Sequence, residues 1–264
     1  MYEWTIYLIV GGLAGLLAGL LGIGGGFVIV PALILVLPMS GVPEAIVMHV
    51  AIGTSLATIC VTSISSFSAH HKRGSVNWQY FRLLTPGIVL GAIGSGLIAD
   101  YLSSQWLGAI FGIGAILMAV QILLARQPSS AQEHQNKTLL FSSSAAIGCA
   151  SGLVGIGGGS LVVPLMLRFG QSITRAVGTA AACGLPLAVA GAVSYAIVGW
   201  DREFSQLAIG YIYLPAFLGI ILTSILTAPL GARLAHWLPA EQLKKVFAAF
   251  LLIIGIRICI KFLG

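Results

Sequence analysis

Charge is what this chain has least of. Charged residues make up 8% of its 264 positions, against roughly 25% in a soluble domain, so it cannot cover a surface that faces water. Acidic residues number seven: Glu3, Glu44, Asp100, Glu133, Asp201, Glu203 and Glu241. All stand at segment ends or in loops. The lack of a carboxylate deep in an apolar stretch argues against a proton-relay pump of the usual kind. Cysteines are few: Cys60, Cys149, Cys183 and Cys259, all in apolar stretches without metal-ligand spacing. That excludes a disulfide framework and reads as small buried hydrophobes. The leading residues carry Glu3 and no Lys or Arg, unlike the basic start of a signal peptide.

Apolar sequence is what remains. Hydrophobic residues reach 58% and the mean hydropathy is +1.03. Many separate apolar stretches make this a polytopic membrane protein whose main solvent is lipid. The net charge of +6 therefore implies no nucleic-acid partner.

The chain carries Gly22-Ile23-Gly24-Gly25-Gly26, an apolar run and Pro31. It repeats the pattern as Gly155-Ile156-Gly157-Gly158-Gly159, an apolar run and Pro164, at a constant offset of 133 residues. Segments follow each cluster in the same order. In the first half they are 5–21, 27–37, 45–67, 80–99 and 105–125. In the second they are 139–154, 160–169, 176–198, 207–228 and 243–262. The polar run 126–138 links the halves. Gly53-Thr54 answers Gly178-Thr179, Pro86 answers Pro215, and Phe111 answers Phe247. The segment after each glycine cluster is short; 11 residues from Phe27 to Leu37 cross only half of the ~30 Å hydrocarbon core.

Basic residues set the expected orientation. If each short segment turns back to the side its predecessor came from, Lys72, Arg73, Arg82, Arg126, Lys137, Arg168, Arg175, Arg233, Lys244 and Lys245 share one face. Arg202, Arg257 and Lys261 occupy the other. The richer face is cytoplasmic, and both termini lie outside. The expected fold is all-α and polytopic with 8–10 transmembrane segments. It comprises two inverted repeats, 1–125 and 139–264, each a broken or re-entrant helix pair plus three spanning helices.

Paired glycine breaks at such an interface suit a small anion. Unwound glycines leave N–H groups free, and the helix that follows points its positive end at the gap. The alternative is that the glycines only let helices touch. A nucleotide loop does not fit, since no strand precedes and no Lys-Ser/Thr follows. Candidate substrate-binding residues are Gly24, Gly25, Gly26, Thr54, Ser55, Gly157, Gly158, Gly159, Ser160 and Thr179. Each hydroxyl could instead bond its own helix. Thr54, Thr58, Thr62 and Ser66 form one stripe. Arg175 either draws an anion to the cytoplasmic mouth or only sets topology. His70 and His71 read as loop residues, and proton coupling would fall to His49 or a peripheral acid. No catalytic constellation, metal site or cofactor is expected. An intramembrane enzyme would have to rest on Cys60 or Cys183, neither with an evident partner; Cys149 or Cys183 could alternatively touch a sulfur substrate. An accessory membrane subunit leaves the doubled breaks unexplained.

With Gly-Ile-Gly-Gly-Gly-x4-Pro present twice, each followed by a Gly-Thr pair, the chain resembles the TauE/SafE-type family over nearly its whole length. The resemblance implies a permease in a bacterial or archaeal cytoplasmic membrane that moves sulfite, sulfonates or related organosulfur anions, export more than uptake. Uptake of another sulfur-containing or carboxylate anion is the alternative. The expected partners are a small anion and the bilayer, and a homodimer is allowed. Thr54-Ser55 faces Thr179-Ala180 across the repeat, so any site is asymmetric.

Overall fold

A computed structural model describes residues 2–21, 25–124, 137–202, 204–234 and 240–264. Gly22, Ile23, Gly24, Glu203 and most of the 126–138 linker lie outside them. Ten α-helices are present among the described residues: α1 Tyr2–Leu21, α2 Gly26–Val36, α3 Val47–Lys72, α4 Trp78–Tyr101, α5 Ser104–Leu124, α6 Lys137–Val154, α7 Gly159–Arg168, α8 Ile173–Val198, α9 Leu214–Leu234 and α10 Ala240–Leu263. A two-residue hairpin, β1 Ala208–Ile209 with β2 Ile212–Tyr213, is the one sheet described. Seven helices (α1, α3, α4, α5, α8, α9 and α10) are long and apolar enough to cross a membrane. The all-α polytopic reading holds.

Three boundaries differ from the sequence expectation. The fourth segment of the second half begins at Leu214, not Leu207. Residues 207–213 instead form the hairpin, turned at Gly210 with φ +55°. Helix α3 runs on to Lys72, so His70, His71 and Lys72 form its last turn rather than a loop. The last residues of the linker, Lys137 and Thr138, already belong to α6.

The short helices are α2, with 11 residues, and α7, with 10. At 1.5 Å per residue each is about 15 Å long. Glycine ends both excursions. Gly41 at φ +81° follows the 3-10 turn Leu37–Ser40 beyond α2. Beyond α7, Gly170 N–H donates to Leu167 and Gln171 N–H to Met166, the paired bonds of a left-handed cap.

Each short helix returns to the face from which its predecessor started. Tyr7 in the second turn of α1 hydrogen-bonds Ser40 beyond α2, 2.8 Å apart. That face also holds Asp100 at the end of α4, which accepts a bond from Tyr211 in the hairpin, 3.1 Å. On the opposite face Asn77, which caps α4, donates from Nδ2 to Gln171 beyond α7, 2.9 Å. We call these the Asp100 face and the Asn77 face. Exposed Trp4, Tyr101, Trp106 and Trp200 ring the Asp100 face, as amphipathic rings do at a membrane–water boundary.

Helices α3 and α8 form the centre. Their spans are 72% and 61% buried, against 22–44% for the other five, and they pack on each other. Around them α1 packs along α9, α6 along α4, and α5 along α10. Exchanging the halves reproduces this set of pairs. Gly15 of α1 lies on Ser224 of α9, and Gly148 of α6 lies on Ile88 of α4. The glycine positions differ by the 133-residue offset.

Small residues allow these approaches, since lipid supplies little hydrophobic drive between helices. A Cβ on Gly91 of α4 would overlap the Ala145 carbonyl of α6 and stand 2.7 Å from Cys149 N. Gly91→Ala should therefore push α4 off α6, at a cost of about 1–3 kcal/mol. Thermal unfolding of the detergent-solubilised protein will read this as a lowered midpoint. Gly94→Ala, with open space at the same helix's surface, should leave the midpoint in place.

A candidate anion site where two helix breaks meet

The two glycine breaks abut. A Cβ on Gly26, the first residue of α2, would collide with the Gly155 carbonyl and lie 2.8 Å from Ile156 Cα. The meeting point is dry and fixed. Val30 of α2 and Ile52 of α3 flank Gly155, each within 3.2 Å of where its Cβ would be. Phe27 of α2 is held edge-on between Phe111 of α5 and Phe247 of α10, at centroid distances of 6.0 and 6.5 Å. Those two phenylalanines are a repeat-matched pair.

The second break can be followed atom by atom. Helix α6 ends at Gly155, whose φ of +70° is costly for any residue with a Cβ. Ile156 N–H donates back to the Ser151 carbonyl at 3.0 Å. Two other carbonyls of this helix end are covered from neighbouring helices. Ser55 Oγ on α3 donates to Gly155 O at 2.8 Å, and Tyr195 OH on α8 donates to Gly152 O at 3.4 Å.

The start of the next helix is treated differently. Helices α2 and α7 begin on Gly25 and Gly158, and neither receives a side-chain cap. Glycine has no side-chain oxygen to offer, so the first-turn N–H groups get no help of the Ser/Thr/Asp kind. The described break therefore has its negative end covered and its positive end bare. Such a corner favours an anion over a cation. Ser151, in the last turn of α6, is fully buried and its Oγ finds no partner.

The structure spreads the sequence candidates over three places. Gly25, Gly26, Gly157, Gly158, Gly159, Ser55 and Ser160 belong to the two breaks; Gly24 lies outside the described residues. Ser160 is buried with a long contact of 3.5 Å to Gly157 O. Thr54 and Thr179 are buried but engaged elsewhere. Thr54 Oγ1 accepts from Tyr213 N at 3.0 Å, and Thr179 Oγ1 from Asn77 N at 2.9 Å. Arg175 is exposed on the first turn of α8, on the Asn77 face. In the hydroxyl stripe, Thr58 donates to Ser55 O and Thr62 to carbonyls of its own helix, as the bland reading holds.

His49 is a fastener on the Asp100 face. Its Nε2 lies 2.9 Å from Ala99 O and 3.0 Å from Leu102 O. Carbonyls only accept, so Nε2 carries the proton and ties α3 to the α4–α5 turn. Its ring lies 4.9 Å from that of Tyr211. Burial, and after it the bond to Asp100, raises the Tyr211 phenol above its ordinary pKa, so the phenol keeps the proton it donates. The Cys60 thiol donates to Leu56 O of its own helix, and Cys183 is fully buried. Among the described residues no group of His, Cys, Asp and Glu could hold a metal ion. Sequence reading missed Ser151, Tyr195, Asn77 and Tyr213. Only Asn77 gave a signal, as an Asn just ahead of an apolar run.

The model of the family described as Sulfite exporter TauE/SafE matches residues 7–258, which include both glycine breaks. The chain belongs to the TauE/SafE family. A protein of Haemophilus influenzae named probable membrane transporter protein is 42% identical over 259 residues, covering 96% of this chain and 97% of its own. A probable membrane transporter protein of Methanocaldococcus jannaschii is 28% identical over 95% of this chain and 93% of its own. Bacillus subtilis YunE, named in the same way, is 32% identical over 78% and 83%. No solved structure matches. The family and these names make the chain a multi-pass membrane transporter.

Proposed function

We propose that this TauE/SafE member is a secondary permease that exports a small oxidised-sulfur anion, of the sulfite or sulfonate class, by alternating access. The moving parts are two inverted repeats, 1–125 and 139–264, joined by a cytoplasmic linker at 126–138. The Asn77 face is cytoplasmic and both termini are outside. Support for the inversion is the exchange of helix partners between halves and the return of the two short helices to opposite faces.

One observation carries the choice of an anion. At the abutting breaks the helix-end carbonyls are covered by Ser55 and Tyr195, while the helix starts at Gly25 and Gly158 lack a side-chain cap. A cation would need those carbonyls; an anion needs the amides. The family description supports the sulfur chemistry. Export needs no coupling ion, because an inside-negative potential drives an anion outward with about 2.3 kcal/mol per charge per 100 mV.

Proteoliposomes loaded with sulfite, sulfoacetate, thiosulfate or sulfate provide the test. Efflux of sulfite or a sulfonate should rise on imposing an inside-negative potential and fall on reversing it. No flux of any of the four at either polarity removes the reading. Flux that needs an opposing cation gradient replaces export with coupled uptake.

A further inference from the structure

Thr54 and Thr179 were candidates for binding the anion, and the structure gives them other partners. Each belongs to a Gly-Thr pair that grips the segment leading into the fourth helix of the other half. On the Asp100 face, a Cβ on Gly53 would lie 2.8 Å from Tyr211 O, and Thr54 Oγ1 accepts from Tyr213 N. On the Asn77 face, a Cβ on Gly178 would lie 2.6 Å from Ser75 O, and Thr179 Oγ1 accepts from Asn77 N. In both places the glycine lets a carbonyl approach and the threonine takes the amide two residues later.

The two grips match in chemistry, sit on opposite faces and join opposite halves. Tyr211, Tyr213, Ser75 and Val76 are all buried, so each gripped segment is wedged into the bundle. Each wedge meets a central helix about one turn above a buried, repeat-matched position: Thr58 on α3 and Cys183 on α8. The wedge on the Asp100 face has room to move. A cavity of about 610 Å³ borders the hairpin, lined by Trp200, Phe204, Gln206 and Ile209 among others.

We propose that these grips are the two gates of the transport cycle, and that Gly53, Thr54, Gly178 and Thr179 are gate-positioning residues rather than anion ligands. Both gates are shut in this structure. Releasing Tyr213 opens the centre to one side of the membrane, and releasing Asn77 opens it to the other. The inference rests on the transport reading above, but gate opening can be measured with no anion present.

The test uses a membrane-impermeant thiol reagent on right-side-out and inverted vesicles. One background keeps Cys183 as its single cysteine; the other carries Thr58→Cys alone. Thr54→Val and Gly53→Ala should speed labelling at position 58 about tenfold from one side only, since each strands or displaces a buried amide. Thr179→Val and Gly178→Ala should do the same for Cys183 from the opposite side. Thr54→Ser and Thr179→Ser, which keep the accepting oxygen, should label slowly. If the glycine variants fail to fold, the valine variants decide. Unchanged labelling in the valine variants, or faster labelling from both sides, makes the grips mere packing and overturns the proposal. Sided labelling alongside a wild type that moves none of the four anions would keep the gates and remove the substrate. Anion flux without sided labelling would do the reverse.

Discussion

Gly26→Ala will reduce anion flux about 5- to 150-fold while the protein still inserts into the membrane. The added methyl has no free volume to enter. It meets the Gly155 carbonyl and Ile156 Cα, which are backbone atoms and cannot swing aside as a flexible side chain can. Relief must come from moving α2 away from the α6–α7 corner. Overpacking of this kind costs about 1–3 kcal/mol, and a shift of that size in the population of the working geometry is about 5- to 150-fold. The comparison is Gly41→Ala, at a turn with open space but φ +81°. That change should lower stability through backbone strain and leave flux per folded molecule near wild type. Equal losses of flux per folded molecule in both variants would show that the contact between the breaks has no special part in transport.

Ser55→Ala will weaken anion binding more than any other single hydroxyl removal. Ser55 Oγ is the donor on Gly155 O, in a site where both groups are buried. Without it the carbonyl keeps its partial negative charge, unpaired and beside the proposed anion. An orphaned buried acceptor costs about 1–3 kcal/mol. The same charge now opposes the ligand, so the concentration for half-maximal efflux should rise about tenfold or more. Tyr195→Phe uncovers Gly152 O in the same way, but that bond is longer, at 3.4 Å, and a smaller rise is expected. Ser142→Ala, which removes an exposed hydroxyl bonded within its own helix, should change nothing. If Ser55→Ala leaves half-saturation untouched, the covered carbonyls are structural and the argument for an anion loses its main support.

Much of this was legible in the sequence because lipid leaves few options. An apolar chain in a bilayer must satisfy its backbone internally, so apolar runs become helices and glycine clusters become their breaks. The 133-residue offset therefore located both short helices to within a residue. The hairpin at 208–213 escaped because Ala-Ile-Gly-Tyr-Ile-Tyr is as apolar as the helix after it. What makes it a wedge is its fit between α3 and α8, a contact absent from any local pattern. Thr54 and Thr179 escaped for a related reason. A buried threonine near a break looks like a ligand until its acceptor is found to be occupied by an amide 159 or 102 residues away.

Sequence by itself determined the solvent, the number and order of helices, the two breaks and the family resemblance, since each rests on composition or on spacing along one chain. Tertiary structure alone decided that Gly26 lies on Gly155, that each short helix turns back to its starting face, and which hydroxyls cover carbonyls and which hold amides. The physical reason is reach. Periodicity fixes what a helix shows to its surroundings, but a hydrogen bond depends on which distant helix stands within 3 Å of it, and small residues at the crossings settle that only once the bundle has closed.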